Sequence, residues 1–283
     1  MGSHRTYNGV AMPEFMYGTA WKKEETTRLV KLAVSSGFTA IDTANQIIHY
    51  DEARVGDALL DLSRQGIERE SLFLQTKFTS AGGQDHRTPY DASADITTQV
   101  GQSFRSSLRH LHTDTLDSYV LHGPYSRMGL GAEDWEVWEA IEGIYKSGGT
   151  RVIGISNVSA EQLDELCRKA EVKPMVVQNR CFAVLGWDFR VREICRAHGI
   201  VYQGFSLLTA NRPVLFHPRV REIAGRLGVG PAQVVFRFAL EVGMQPLTGT
   251  SSRDHMLEDL AVRSLRLSRE ETTFIEAIAL SRP

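Results

Sequence analysis

Residues 72–77 read Leu-Phe-Leu-Gln-Thr-Lys, and residues 116–122 read Leu-Asp-Ser-Tyr-Val-Leu-His. Both runs are short and mainly apolar, and neither alternates strictly between apolar and polar residues. Each stops on a titratable side chain, Lys77 or His122. A strand with one wet face alternates, whereas a strand buried on both faces, as in a parallel sheet, does not. Six more runs share this character, at 15–18, 40–42, 152–155, 175–178, 201–205 and 245–248. Helical patterns lie between them, at 26–36, 52–62, 159–170, 220–227, 231–242 and 270–280. The pattern at 159 opens Ser-Ala-Glu-Gln, a capping box with Gln162 as the reaching side chain. Eight strand–helix units in 283 residues predict a single-domain α/β chain, a (β/α)8 TIM barrel. Residues 1–12 precede the first unit and are expected to be loosely held. The rival doubly wound sheet needs a glycine-rich turn after an early strand. The nearest candidate, Gly129-Leu-Gly131, follows no early strand.

Composition narrows the function. The 31.6 kDa chain is 42% hydrophobic and 23% charged, with a formal net charge of -2 and a pI near 6.5. No basic footprint for nucleic acid is expected, nor a membrane span, which needs about 18 consecutive apolar residues. The three cysteines, Cys167, Cys181 and Cys195, form no CxxC pair. A disulfide framework is therefore not expected, and a reducing, cytoplasmic setting is. The expected partner is a small molecule, with no obligate protein partner.

In a barrel the chemistry sits at the carboxyl ends of the strands. Three successive strands end on Asp42, Lys77 and His122. Singly, these residues read as a helix cap, a solvated lysine and a core histidine. On adjacent buried strands they read as one site, in which a lysine beside a carboxylate tunes a neighbouring acid. The acid comes from His49-Tyr50, just before the second helix. A tyrosine is a poor acid at neutral pH, and a nearby ammonium is expected to lower its pKa. Tyrosine, lysine and aspartate then form a relay suited to protonating a carbonyl oxygen as it is reduced.

The motifs Gly18-Thr-Ala, Asp42-Thr-Ala, Tyr50-x-Glu-Ala-x-Val-Gly, Gln-Thr-Lys77, Leu-His122-x-Pro, Gly154-Ile-Ser-Asn157 and Gly204-Phe-Ser-Leu run in order over nearly the whole chain. Together they resemble the aldo-keto reductase superfamily. The resemblance implies a cytoplasmic oxidoreductase that passes a hydride between NADP(H) and an aldehyde or ketone, with NAD(H) also open as cofactor. It gives Tyr50 as general acid, Asp42 and Lys77 as its support, and His122 as the group that orients the carbonyl. Ser156, Asn157 and Gln178 would hold the nicotinamide carboxamide, and Phe205 would stack on its ring. Gly18, Thr19, Ser206 and Leu207 would lie along the cofactor, with Ser206 and Leu207 by the pyrophosphate. Thr248, Gly249, Thr250, Ser251, Arg253, Glu258 and Asp259 would take its far end. Trp21, His49 and Trp187 would line the substrate pocket.

Two departures stand out. Asp42 and Tyr50 are eight positions apart, more than is usual in the family, and counting back from Glu52 puts His49 in the tyrosine's usual place. The Tyr-x-Glu-Ala-x-Val-Gly context favours Tyr50. After the last strand, Gly249 and His255 replace the lysine and arginine that commonly grip the 2′-phosphate of NADP. Arg253 and three hydroxyl residues at a helix start still favour an anion there. The alternative to an enzyme is a cofactor-binding, redox-sensing module with weak turnover. A metal-dependent hydrolase would need several strand-end ligands, and only Asp42 and His122 qualify.

Overall fold

A computed structural model of the chain describes residues 4–278. Two short strands, β1 (His4–Arg5) and β2 (Ala11–Met12), pair as an antiparallel hairpin. Eight parallel strands then close a barrel in chain order: β3 (Met16–Gly18), β4 (Ala40–Asp42), β5 (Phe73–Phe78), β6 (Leu116–Leu121), β7 (Thr150–Ser156), β8 (Val176–Arg180), β9 (Val201–Phe205) and β10 (Gln245–Thr248). β10 returns to pair with β3 through Leu247 and Met16, so the (β/α)8 architecture read from the sequence is the observed one.

Helices cover the outside of the barrel. They include α1 (Thr26–Ser35), α2 (Glu52–Ser63), α3 (Ile96–His110), α4 (Ala132–Lys146), α5 (Ala160–Lys169) and α6 (Phe189–His198). After β9 come α7 (Arg212–Phe216), α8 (Pro218–Leu227) and α9 (Pro231–Glu241), and after β10 come α10 (Arg253–Ala261) and α11 (Arg269–Ala277). Ser159 caps α5 and Gln162 reaches back to it, completing the expected capping box. The helix read at 270–280 begins at Arg269, and its last residues lie outside the described chain.

Of the segment expected to be loosely held, residues 4–12 make contacts with the barrel. The Tyr7 hydroxyl donates to the Lys173 carbonyl at 2.6 Å, the Asn8 amide donates to the Arg151 carbonyl at 3.1 Å, and Met12 is buried. The hairpin thus rests on the amino-terminal end of the barrel, leaving the opposite end to the strand–helix loops.

Helix packing has one point with no slack. Gly56 of α2 passes so close to α3 that a Cβ there would stand 1.8 Å from the His110 carbonyl oxygen. In contrast, Gly143 of α4 faces open space. Gly56→Ala should therefore destabilise by about 1–3 kcal/mol, whereas Gly143→Ala should stabilise by up to about 1 kcal/mol through helix propensity. Urea unfolding followed by circular dichroism checks both values. Equal effects at the two positions would contradict the packing.

Candidate active site

Asp42 ends β4, and Lys77 lies on β5 two residues beyond Gln75, the register partner of Asp42. The period of a strand is two, so Gln75 and Lys77 face the same side, the barrel interior. The Lys77 Nζ donates to both oxygens of Asp42 at 2.7 Å and to the Thr43 carbonyl at 2.8 Å. The lysine side chain is 0% exposed. An ion pair this deep is costly to assemble and costlier to break, because either charge alone would be buried without compensation. Desolvation pulls the Lys77 ammonium below its ordinary pKa, against the carboxylates of Asp42 and Glu52, which raise it.

The Tyr50 ring lies over this pair, with the Lys77 Nζ 5.2 Å from the ring centroid. Its edge-to-face neighbour is the His122 ring at 5.9 Å. The His122 backbone N–H donates to the Phe78 carbonyl at 2.8 Å, fixing the strand end. The Thr79 hydroxyl and His122 Nδ1 share a hydrogen bond of 2.7 Å, so Nε2 is the ring nitrogen left for a ligand. Burial, with Lys77 and then His49 adding to it, pushes the His122 pKa down to about 3, so the imidazole is neutral at pH 7. Tyr50 corrects an expectation. Its phenol is pushed well above its ordinary pKa, first by desolvation and then by the Asp42 charge, with Arg180 opposing. The expected lowering does not prevail, because burial of the phenol outweighs it and the Asp42 carboxylate adds to the rise.

A helical turn accounts for the long spacing between Asp42 and Tyr50. The backbone N–H groups of His49 and Tyr50 both donate to the Gln46 carbonyl, at 3.3 and 3.0 Å. The turn is anchored by the Asn45 amide on the Ser103 carbonyl and by the Gln46 amide on the Gly83 carbonyl. It leaves Ile47 and Ile48 exposed and separates the two candidate acids. His49 Nδ1 is held by the Gln46 side chain at 2.7 Å, and its ring packs on Trp21 at 4.1 Å. Trp21 is 65% exposed at the rim. Trp21, His49 and Tyr50 share a cleft of about 430 Å³ that continues behind the turn to His110.

The residues expected along a cofactor fall into two groups. At the mouth, the Ser156 hydroxyl donates to the Gln178 carbonyl at 2.6 Å, and the Asn157 amide donates to the His122 carbonyl at 2.8 Å. The Gln178 amide nitrogen is committed to Asp42 and Gln203, so its oxygen is the end left for a ligand. Phe205 is half-buried, with the Arg180 guanidinium over its ring. Ser206 has the left-handed φ of 57°, and Leu207 points its side chain into the core.

The second group forms where β10 meets β3. Gly18 and Thr19 adjoin Thr248 and Gly249 there, and a Cβ on Gly249 would sit 3.4 Å from the Gly18 carbonyl oxygen and 3.5 Å from the Lys22 Nζ. Thr250, Ser251 and Arg253 open α10, which Ser252 caps. Arg253 is exposed, and no carboxylate pairs with it among the described residues. Glu258 is exposed, and Asp259 is buried with its pKa pushed up to about 7 by desolvation.

One substrate-pocket residue was misplaced. Trp187 is 0% exposed, its indole N–H donates to the Ile275 carbonyl at 2.8 Å, and its ring packs on Phe238. It is a core residue locked to α11 and cannot line the mouth. The reading from sequence also missed Thr79, which orients His122, and the buried glutamines around Asp42. The only sequence signal for those glutamines was a polar side chain inside an otherwise apolar strand.

The closed (β/α)8 barrel thus carries a buried Lys–Asp pair, a tyrosine and a neutral histidine at one mouth. The aldo/keto reductase family profile matches residues 9–280, and the chain belongs to this family. It is 31% identical to a glyoxal reductase of Bacillus subtilis, over 97% of this chain and 91% of that protein. It is 27% identical to an aldo-keto reductase family 1 member A1 of Xenopus tropicalis, over 96% and 87%. Among solved structures, an aldose reductase from Schistosoma japonicum superposes with a TM-score of 0.85 at 23% identity, covering 100% of this chain and 94% of that one. No helix among the described residues is long and apolar enough to cross a membrane.

Two solution properties follow from these environments. The unfolded chain takes up a proton on its histidine near pH 6.5, while folded His122 refuses it down to about 3. His122 therefore lowers stability progressively as pH falls through this window. His122→Gln should flatten that part of the stability–pH curve, and an unchanged slope would contradict a neutral His122. The thiols behave differently from exposed cysteines. Burial pushes Cys167 up to about 11 and Cys181 up to about 12, and raises Cys195 well above its ordinary value. All three should resist iodoacetamide in the native state at pH 7.5 and react after denaturation, as read by intact mass.

Proposed function

We propose that this chain is a carbonyl reductase that uses NADPH, with Tyr50 donating the proton. The observation that carries this reading is the placement of the Tyr50 ring against both Lys77 Nζ and His122, while the turn at 46–50 holds His49 away on Trp21. Bound NADPH supplies the hydride. The residues present fit such a cofactor: Ser156, Asn157 and Gln178 offer polar ends at the mouth, and Phe205 offers an aromatic face. Where Gly18 and Gly249 meet, the Lys22 ammonium donates to the Gly249 carbonyl and puts a cation beside the two strand ends. Beside it lie Arg253 and the N-terminal N–H groups of α10, which favour a phosphate.

In this arrangement His122, neutral and with Nε2 free, orients the carbonyl oxygen of an aldehyde or ketone. Tyr50 gives its proton to that oxygen as negative charge develops there. Lys77 is held beside the ring to stabilise the phenolate left behind, and Asp42 keeps Lys77 in place. His49 gains less from an adjacent ammonium, because its charged form is disfavoured there. The Gln46 side chain and the Trp21 ring hold it at the rim of the pocket, away from the proton transfer. The buried thiols suit a reducing cytoplasm.

Tyr50→Phe should lower kcat for aldehyde reduction by about 10²–10⁴, the usual worth of a general acid, with the NADPH dissociation constant nearly unchanged. His49→Ala should cost much less in kcat. The reverse ranking would overturn the assignment. Nicotinamide fluorescence titration should show NADPH preferred modestly over NADH, and Arg253→Ala should erode that preference. Equal affinities in the wild-type protein would remove the case for NADP(H).

A further inference from the structure

The barrel interior departs from the usual layers of branched aliphatic side chains. Gln75 on β5, Gln178 on β8, Gln203 on β9 and Gln245 on β10 are all buried there. Their amides form one chain. Gln75 Nε2 donates to Asp42 Oδ1 at 2.8 Å and to Gln203 Oε1 at 2.8 Å. Gln178 Nε2 donates to the same two acceptors at 3.0 Å each. Gln203 Nε2 donates back to Gln75 Oε1 at 3.1 Å and onward to Gln245 Oε1 at 2.9 Å. Gln245 Nε2 ends the chain on the Pro13 carbonyl, at the amino-terminal end of the barrel.

The two ends fix the direction of every amide. An ionised carboxylate only accepts hydrogen bonds, and so does a carbonyl. Pro13 requires the amide nitrogen of Gln245, which turns the Gln245 oxygen toward Gln203. Asp42 requires the amide nitrogens of Gln75 and Gln178. Reversing one amide would set like ends against each other in a dry interior, where an unmet polar group carries its full desolvation cost. Two N–H dipoles therefore always point at Asp42 Oδ1, one of the two oxygens that hold Lys77.

We infer that Gln75, held in orientation by Gln203 and Gln245, is a positioning residue that limits how tightly Asp42 grips Lys77 and so leaves the ammonium able to serve Tyr50. This inference rests on the reading of Tyr50 as the proton donor. The other groups acting on the pair are Tyr50 and Glu52 from the turn and start of α2 and His122 after β6, while Arg180 at the end of β8 acts on Tyr50. Glu52 is itself engaged by the Thr76 hydroxyl and by His110. Removing an N–H dipole from Asp42 strengthens its field on its neighbours. The sign follows directly: both Lys77 and Tyr50 hold their protons to higher pH, and Tyr50 becomes a weaker acid.

Gln75→Met, close in shape and without the donor, tests this in the full-length protein. The alkaline limb of the kcat–pH profile should move up by about one unit, with kcat at pH 7 down about tenfold and NADPH affinity unchanged. In ¹⁵N-lysine spectra, the Lys77 resonance, assigned by its loss in Lys77→Met, should titrate at higher pH in the variant than in the wild-type protein. A Lys77 midpoint that stays put in a folded variant overturns the inference, whatever happens to stability. Should Gln75→Met fail to fold, Gln245→Met cuts the chain at its far end and should shift the Lys77 midpoint in the same direction, to a smaller extent. No shift there overturns it equally. The lysine spectrum needs no turnover, so a wild-type protein without reductase activity would count against the Tyr50 reading and not against the amide chain.

Discussion

The contact on which the site depends is the bidentate pair between Lys77 and Asp42, buried at the carboxyl ends of two adjacent strands. Neither charge could remain there alone. The barrel supplies the remaining partners, from the Thr43 carbonyl on the lysine to two glutamine amides on the aspartate. The cost of that burial is recovered as rigidity. With Lys77 fixed, Tyr50 and His122 are packed against a point charge that cannot move aside. This differential placement of groups is what general acid chemistry needs before any substrate arrives.

The turn at 46–50 is the second constraint. It absorbs the long spacing between Asp42 and Tyr50 by hydrogen bonding within itself and to the loop after β5. Its handedness decides which of two neighbouring side chains enters the site. Because consecutive residues on a helical turn diverge, Tyr50 faces Lys77 while His49 turns toward Trp21. The same turn leaves Ile47 and Ile48 exposed at the rim. The position of Tyr50 and the shape of the entrance are thus set by one short segment.

Much of this was legible in the sequence, for physical reasons. Strands buried on both faces cannot alternate, so the eight apolar runs declared a barrel, and the strand-end positions of Asp42, Lys77 and His122 foretold that they would meet at one mouth. Side-chain direction within loops was harder to read. Nothing in the string separates an apolar residue at the mouth from one folded back into the core, and so Trp187 was misplaced. Its position depends on α11, far away in sequence. The pKa of Tyr50 was also beyond reach, since the Lys77–Asp42 pair was foreseeable but the burial of the phenol was not. Gln75, Gln203 and Gln245 read as ordinary polar residues until the closed barrel brought them together.

Proton donation by Tyr50 requires a bound carbonyl oxygen to sit at its hydroxyl. A crystal structure of the protein with NADP⁺ and an unreactive carbonyl analogue measures this directly. The predicted result places that oxygen within about 2.6–3.2 Å of both the Tyr50 hydroxyl and His122 Nε2, with Lys77 still on Asp42 behind the ring. A carbonyl oxygen bound instead by the His49 imidazole, with the Tyr50 hydroxyl turned elsewhere, would contradict it.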